Sequence, residues 1–210
     1  SKNFAALMPH RHDIGDLTLI YANFSKSSSR YEDYEKGIVK PAFSLEESGG
    51  ALYDINVYNV HFVVGLFGSP RMVTYLANKG FNGIDTSGIL TMDYDGFKAV
   101  CIGAKDSVSP NTTILQGTKG YIEIPGHPGV FKNMALHLNG QKPVLIGEAD
   151  EGDPMSNEFL MMQEIVDQKD YNQASIGLIR TKQVMSVLDQ ARVSAGIHFA
   201  ADDDPAFTVE

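Results

Sequence analysis

Cysteine is nearly missing from this chain and tryptophan is missing altogether: among 210 residues there is one Cys and no Trp. A single cysteine excludes an intrachain disulfide, which fits a reducing compartment. That residue, Cys101, lies in the apolar stretch KAVCIG. Such a setting favours a buried structural thiol over a reactive nucleophile.

Long hydrophobic runs are also lacking. The longest, such as HFVVGLFG, fall well short of the ~20 residues that a membrane-spanning helix needs. No charged-then-apolar leader stands at the start of the chain. We therefore expect a soluble, cytoplasmic protein without a membrane partner. The first residues, SKNFAAL, lack an initiator Met and start within an apolar pattern, so we also expect a fragment of a longer protein.

Positive charge is scarce. The chain has 17 Lys and Arg against 26 Asp and Glu, a net charge of −9 at pH 7. The basic side chains are scattered, whereas a protein that follows a phosphate backbone gathers them in a stripe. We therefore expect no nucleic-acid partner.

The familiar cofactor and metal motifs are missing as well. The sequence contains neither G-x-G-x-x-G after a strand nor G-x-x-x-x-G-K-[ST], and neither C-x-x-C nor H-E-x-x-H. The HRH at 10–12 is better explained as a solvated tail, and His127 and His137 form no recognisable ligand set. No G-x-S-x-G nucleophile motif occurs either. We expect no metal and no dinucleotide site within this chain, which by itself looks like half of a larger protein.

The patterns that are present predict an α+β fold. Residues 16–26 alternate as a strand does, 27–48 are polar and unperiodic like a long loop, and 50–67 follow a helical pattern. Short β-type runs separated by turn signals fill 71–147, with Asp-Gly at the tip of a hairpin at 94–97. Helices are predicted over 157–168 and 173–196. We expect one open, mainly antiparallel sheet with helices packed on one face.

One cluster of chemically active side chains stands out on the helix that starts near Gly50. Positions 54, 57, 58, 61 and 65 share a face, which brings Asp54, Tyr58 and His61 together. Ionisable groups on a semi-buried helix normally have a partner or a task. A purely structural interpretation stays open: an Asp favoured by the helix dipole, a Tyr ring in the core and a His at the edge.

The side chains of Tyr58 and Asp54 could nevertheless act directly on a substrate hydroxyl. A phenol, with a reference pKa near ~10, can donate a proton or a hydrogen bond to a substrate oxygen at neutral pH. To accept a proton from an alcohol it needs a nearby cation, and the carboxylate of Asp54 cannot serve. Asp54 fits better as an orienting group that holds a substrate hydroxyl or a cation. No lysine lies on this helix, so we expect the cation to come from elsewhere.

Four stretches together resemble the C-terminal half of the glucose–fructose oxidoreductase/inositol dehydrogenase (Gfo/Idh/MocA) family. They are IGDLTLIYANF (14–24), ESGGALYDINVYNVHFVVGLFGSP (47–70), ILQGTKGYIEIP (114–125) and SVLDQARVSAGIHF (186–199). The second is similar to the family's G-G-[GA]-x-L-x-D-x-G-V-[HY] helix and the third to its G-T-x-G sheet signature. The stretches follow the family's order and spacing over nearly the whole chain.

The resemblance implies residues 1–13 as a residual linker or helix tail and 14–210 as a C-terminal substrate-binding and oligomerisation domain. Its fold would be of the type found in the C-terminal domains of dihydrodipicolinate reductase and glyceraldehyde-phosphate dehydrogenase. NAD or NADP would be bound mainly by a Rossmann domain, which is not in this chain and which would carry the family's catalytic Lys in an E-K-P motif.

The resemblance also implies roles for named residues. The family's catalytic Asp and its His or Tyr four residues later map onto Asp54 and Tyr58. Where many members place another Asp, this sequence has His61, and Asn56 replaces a common Gly and would bring the helix tighter against its neighbours. His61 is a candidate for the substrate wall. The other candidates lie in the 27–48 loop and are Arg30, Tyr31 and Lys40. Lys40, in EKGIVKP, has the wrong spacing for E-K-P.

Two functions are therefore expected. The first is the C-terminal domain of an NAD(P)-dependent oxidoreductase acting on a sugar, cyclitol or related polyol, inactive as an isolated fragment. The second is a non-catalytic oligomerisation or ligand-binding module on the same domain. Both predict a homodimer or larger homo-oligomer through the sheet face. In GILTMDY and KAVCIGAK the alternate residues, which point to opposite faces of a sheet, are apolar enough on both faces for the sheet to be covered on both sides.

Overall fold

The computed structural model describes residues 2–128, 133–147 and 154–203, so the predicted domain end at 210 lies outside the described residues. Eight strands form one sheet: β1 (Leu17–Ser25), β2 (Met72–Lys79), β3 (Asp85–Asp93), β4 (Lys98–Ala104), β5 (Thr112–Gly117), β6 (Gly120–Pro125), β7 (Met134–Leu138) and β8 (Val144–Ile146). The α-helices are α1 (Lys2–His10), α2 (Tyr31–Glu35), α3 (Val57–Phe67), α4 (Pro154–Asp167) and α5 (Tyr171–Ser194).

The strand order is β2-β3-β4-β1-β5-β6-β7-β8. Two antiparallel meanders, β2 to β4 and β5 to β8, lie on either side of β1. β1 pairs antiparallel with β5 but parallel with β4. A parallel pair needs a long crossover, and the chain between β1 and β4 supplies one that includes a helix. The α+β prediction with a mainly antiparallel sheet is confirmed.

The predicted hairpin between β3 and β4 is present. The amide of Tyr94 donates to the carbonyl of Phe97, and Gly96 adopts φ +86° at the tip. Only a residue without a Cβ takes that conformation at no steric cost, which explains the Asp-Gly pair in the sequence.

The segment 27–48 differs from the predicted structureless loop. It contains α2 and a 3₁₀ turn at Pro41–Phe43. The rings of Tyr34 and Phe43 are buried and stack on each other, with centroids 4.8 Å apart. These two aromatic side chains attach the segment to the core, although its sequence shows no hydrophobic periodicity.

A π-helical turn at Leu52–Asn56 leads directly into α3. We call the continuous segment 52–67 the site helix. The site helix and α5 cover one face of the sheet, where the core lies. Its fully buried side chains include Ile20, Val60, Leu90, Cys101, Leu115, Val187 and Leu188. Burial raises the pKa of the Cys101 thiol, in keeping with a structural cysteine.

Asn56 brings the site helix close to strand β4. Its side-chain amide is buried and donates to the carbonyl of Cys101 at 3.2 Å. Asn59, one turn later, donates to the carbonyl of Ile102 at 2.9 Å and to Asn56 at 2.8 Å. The close approach is possible because Gly103 lies opposite: a Cβ there would come within 2.7 Å of the Asn56 Cβ.

Within the described part of the chain, no helix combines the length and the apolar character that crossing a bilayer requires.

Candidate active site

The site helix begins on a buried carboxylate. Asp85 Oδ2, at the start of β3, accepts hydrogen bonds from the Leu52 amide at 2.6 Å and from the Tyr75 hydroxyl at 2.7 Å. Gly50 precedes the helix with φ +98°, and a Cβ there would lie 2.0 Å from Asp85 Oδ1. Burial raises the pKa of Asp85, and the hydrogen bonds from Tyr75 and Leu52 oppose that shift.

Asp54 and Tyr58 project from the exposed side of the site helix. The Asp54 side chain is 53% exposed and Tyr58 is 47% exposed. On the opposite side Ile55, Asn56 and Asn59 are buried. Asp54 lies within the π-helical turn, a distortion that is frequent at functional sites. The helix therefore presents a carboxylate and a phenol, one turn apart, to the same side.

Lys105 is the residue that the sequence reasoning missed. It follows β4 directly, its side chain is 2% exposed, and its Nζ lies 2.5 Å from Asp54 Oδ2. The same ammonium donates to the Ala42 carbonyl at 2.5 Å and lies 4.3 Å from the centre of the Phe43 ring. Asp54 thus pairs with a cation from the residue that follows β4, and holding a cation is one of the two roles expected for it.

A signal for Lys105 was present in the alternation of β4. Ala99, Cys101 and Gly103 all face the helix layer, and Lys105 stands at the next position of the same set. A charged residue on the inward set of an apolar strand requires a partner. The sequence could not say which carboxylate that partner is.

A cleft of about 480 Å³ lies beside Asp54. Its lining residues are Arg30, Pro41, Ala42, Glu47, Ser48, Gly49, Tyr53 and Asp54. The cleft therefore has one wall from the 27–48 segment and one from the site helix. The lining includes one positively charged side chain, Arg30, and two acidic ones, Glu47 and Asp54, which suits a small hydroxylated ligand.

Of the substrate-wall candidates predicted in the 27–48 segment, some line this cleft and others lie elsewhere. Arg30 lines the cleft. Tyr31 stacks with Tyr34, and burial raises the pKa of its phenol. Lys40 is exposed, and its carbonyl accepts the amide of Phe43 at the start of the 3₁₀ turn. The structure thus brings together Arg30 and Asp54 but gives Tyr31 a packing role.

His61 is exposed one turn beyond Tyr58. Partial burial, and secondarily the positive charge of Arg180, lower the pKa of its imidazole. His61 is therefore neutral at neutral pH.

Aromatic rings surround Tyr58. The Phe24 ring meets it edge-on with centroids 5.6 Å apart, and the His127 ring stacks on Phe24 at 4.7 Å. Burial, and secondarily the positive charge of Lys26, lower the pKa of His127. His127 is a second residue that sequence reasoning passed over, because β1, the site helix and the turn after β6 are far apart along the chain.

Tyr53, beside Asp54, connects the cleft to the end of the described chain. Its hydroxyl donates to Asp189 Oδ1 at 2.5 Å, and its ring meets Phe199 edge-on at 5.1 Å. Burial is the main reason that its pKa is raised. No group of three or more His, Cys, Asp or Glu that could hold a metal ion occurs among the residues that the structure describes.

A family model for the GFO/IDH/MocA C-terminal domain matches residues 8–123. The chain belongs to this family. The family assignment made from the four sequence stretches is thereby confirmed, and so is the fold that it implied.

Curated relatives in the GFO/IDH/MocA family include dehydrogenases. The chain is 31% identical over 211 residues to scyllo-inositol 2-dehydrogenase (NADP(+)) IolU of Bacillus subtilis, covering 95% of this chain and 61% of that protein. It is 29% identical over 200 residues to trans-1,2-dihydrobenzene-1,2-diol dehydrogenase of Xenopus tropicalis, covering 89% and 56%. The chain thus spans about three fifths of the length of these relatives.

Solved structures show the same fold. An NAD-binding oxidoreductase from Klebsiella pneumoniae has a TM-score of 0.68 at 15% identity, over 92% of this chain and 60% of that one. An inositol dehydrogenase homologue from Azotobacter vinelandii, complexed with NADH and myo-inositol, has a TM-score of 0.65 at 11% identity, over 91% and 58%.

Proposed function

We propose that this chain is the substrate-binding part of an NAD(P)-dependent oxidoreductase acting on a cyclitol, sugar or related polyol. The observation that carries the proposal is the pair Asp54 and Tyr58, half exposed and one turn apart on a helix whose opposite side is buried. The names of the relatives, an inositol dehydrogenase and a dihydrobenzenediol dehydrogenase, support the same reaction class. Within the chain, residues 14–210 would form this domain and 1–13 its N-terminal tail.

Each residue of the site would have one task. Tyr58 would exchange a proton with the reacting hydroxyl, because its phenol can both donate and accept. Asp54 would accept a hydrogen bond from a substrate hydroxyl and so fix the orientation of the ring. Arg30 would bind hydroxyl oxygens from the opposite wall of the cleft, and His61 and Lys40 are further candidates at the edge of the site.

The cofactor would be held mainly outside this chain. The sequence contains no glycine-rich phosphate-binding loop, so a separate nucleotide-binding domain would bind the dinucleotide phosphates and contribute the lysine expected beside Tyr58. A bound nicotinamide supplies or accepts the hydride. The half-exposed side chains of Asp54 and Tyr58 fit this division, since they are open to a second wall. Residues 1–210 alone should not bind NAD or NADP with micromolar affinity.

The test uses the full-length natural protein that contains this chain. Wild type is assayed with NAD⁺ and NADP⁺ against a panel of cyclitols, sugars and diols, following NAD(P)H absorbance. Tyr58→Phe should lower kcat roughly 10²-fold or more because it removes the exchanging proton. Tyr171→Phe, an equally conservative change at an exposed tyrosine of α5, should leave the rate unchanged.

Two results would count against the proposal. Hydride transfer that survives Tyr58→Phe unchanged would remove Tyr58 from the chemistry. A folded, full-length protein that transfers no hydride with any member of the panel would favour the non-catalytic module instead.

The sheet supports an assembly role in either case. Its outer face exposes apolar side chains from neighbouring strands, Leu19, Tyr21, Leu76 and Ile89. We infer that a second copy of the chain covers this face in a homodimer or larger homo-oligomer. A cytoplasmic location stays a prediction, to be checked by cell fractionation.

A further inference from the structure

Lys105 is a buried cation that contacts Asp54 of the proposed site. Its ammonium has left water almost completely, and desolvating a charge is costly unless partners replace the lost hydration. Three partners do so: the Asp54 carboxylate, the Ala42 carbonyl and the face of the Phe43 ring.

These partners belong to both walls of the cleft. Asp54 and Ala42 line it from the site helix and from the 3₁₀ turn, respectively. The Ala42 carbonyl also accepts the Gly50 amide at 3.1 Å, just before the site helix. The ammonium therefore ties the loop wall, the beginning of the helix and the half-exposed carboxylate into one unit.

The arrangement differs from that of a lysine that merely packs in a core. Such a residue would be compensated by groups as buried as itself, whereas Lys105 contacts a carboxylate whose side chain is 53% exposed on the reacting side of the helix. The Lys105 ammonium lies against Asp54 Oδ2, so it can fix the direction of a carboxylate that still faces the cleft. Burial raises the pKa of Asp85, the acid at the helix start, and the positive charge of Lys105 is one of the smaller effects that oppose this rise.

We propose that Lys105 is a positioning residue that orients the Asp54 carboxylate and couples it to the Pro41–Phe43 wall of the cleft. The proposal rests on the proposed function for its effect on catalysis, but its structural part stands independently. Lys105 does not touch substrate. It acts through Asp54, and misplacing an orienting group by about 1 Å can lower a rate by ~10²-fold.

The first experiment is a double-mutant cycle in the full-length protein. Lys105→Met should lower kcat/KM by about 10- to 100-fold. In an Asp54→Asn background the same substitution should have almost no further effect, because the group that it positions is gone. Lys105→Arg, which keeps the charge, should recover most of the loss. The matched control is Lys98→Met, at the opposite end of β4 from Lys105, whose ammonium pairs with Asp93 at 2.6 Å; it should behave like wild type.

The second experiment does not depend on activity. Amide hydrogen exchange is compared in wild type, Lys105→Met, Asp54→Asn and Lys98→Met. Loss of either member of the ion pair should speed exchange both at 42–50 and at 52–56, whereas Lys98→Met should change neither segment. Asp54→Asn alters a half-exposed side chain, so this variant is expected to fold even if Lys105→Met does not.

The outcomes separate the two proposals. Equal losses from Lys105→Met with and without Asp54 would overturn the positioning role, as would unchanged exchange in both segments of Asp54→Asn. A wild-type protein that transfers no hydride would contradict the proposed function. Faster exchange in both 42–50 and 52–56 on loss of the ion pair would still support the structural role of Lys105.

Discussion

At the scale of single residues, Asp85 determines where the site helix starts. Its buried carboxylate accepts the first amide of the helix and the Tyr75 hydroxyl, both in a region with little access to water. The sequence shows Asp85 only as one acid after a turn, because its two donors come from the site helix and from β2.

Asp85→Ala should therefore destabilise the protein. Two buried donors would lose their acceptor, and we expect the free energy of unfolding to fall by about 3 kcal/mol. Urea unfolding followed by circular dichroism measures it. Asp93→Ala, at the other and more exposed end of the same strand, is the control and should have a much smaller effect. Equal stability of Asp85→Ala and wild type would contradict this account of the helix start.

At the scale of elements, the site helix and β4 approach closely because Asn56 packs directly on Gly103. The resemblance implied that Asn56 would bring the helix tighter against its neighbours, and in the structure its side chain donates to the Cys101 carbonyl of β4. The sequence did not reveal the partner, since Gly103 lies in a run that reads simply as a strand.

A pair of glycine-to-alanine changes tests this contact. Gly103→Ala would force the helix away from the strand and should cost about 1–3 kcal/mol in stability, while also lowering activity in the full-length protein. Gly177→Ala is the matched control: in the exposed N-terminal part of α5 a Cβ at this position meets nothing within 4 Å, so the change should stabilise by about 0.5–1 kcal/mol. Thermal unfolding of both variants shows whether each change raises or lowers the stability. A Gly103→Ala variant as stable as wild type would show that the contact between the helix and the strand can relax.

The end of α5 is held by an electrostatic contact. Arg192 is buried, donates to both carboxylate oxygens of Asp202, and covers the Phe199 ring at 4.6 Å. These contacts fold the 3₁₀ turn at Ala200–Asp203 back on the helix. Hydrogen bonding from Arg192 is the largest reason that the pKa of Asp202 lies below its ordinary value of 3.8.

The lowered pKa predicts how this turn responds to acid. The stabilisation by Asp202 is fully present above pH 3.8 and is lost as the pH falls through the lower folded-state value. His198 Nδ1 lies 3.4 Å from the same carboxylate. The protection factors of the amides at 197–203, which remove the intrinsic pH dependence of exchange, should therefore fall as the pH drops below 3.8 in wild type. In Asp202→Asn they should be low already at pH 7 and should lose this acid dependence; an unchanged profile would contradict the role of the pair.

At the scale of the whole molecule, the sheet has two unlike faces. One is covered by the site helix and α5, and the other exposes an apolar row in which Leu76 lies opposite Ile89 and Ile89 opposite Ile102. The outward-facing residues of β2 to β4 include Leu76, Ile89 and Ile102 together with some polar side chains, and a contiguous apolar patch of this kind is typical of an interface.

Ile89→Glu should dissociate the homo-oligomer that we infer. A charge at the centre of an apolar interface would be desolvated without a partner, so the mass from light scattering should fall to that of a monomer. Val108→Glu places the same charge at an exposed valine outside the strands and should leave the mass unchanged. A wild-type protein that is already monomeric would contradict the interface.

Much of the fold could be predicted from the sequence, because the patterns that indicate its strands, turns and helices are local. The alternation of β1, the Asp-Gly hairpin and the helical stripe of Asp54, Tyr58 and His61 each depend on neighbouring residues. The helices at Tyr31–Glu35 and Pro41–Phe43 were missed because aromatic anchoring to the core, rather than a period, holds them in place.

The sequence alone determined the family, most of the strands and the longer helices, and it singled out the two residues on which the proposed chemistry depends. Only the tertiary structure decided that Lys105 pairs with Asp54, that His127 joins Phe24 beside Tyr58, and that β1 lies parallel to β4. Each of these contacts joins segments far apart along the chain. Their proximity follows from the order of strands in the sheet, which short-range patterns do not specify.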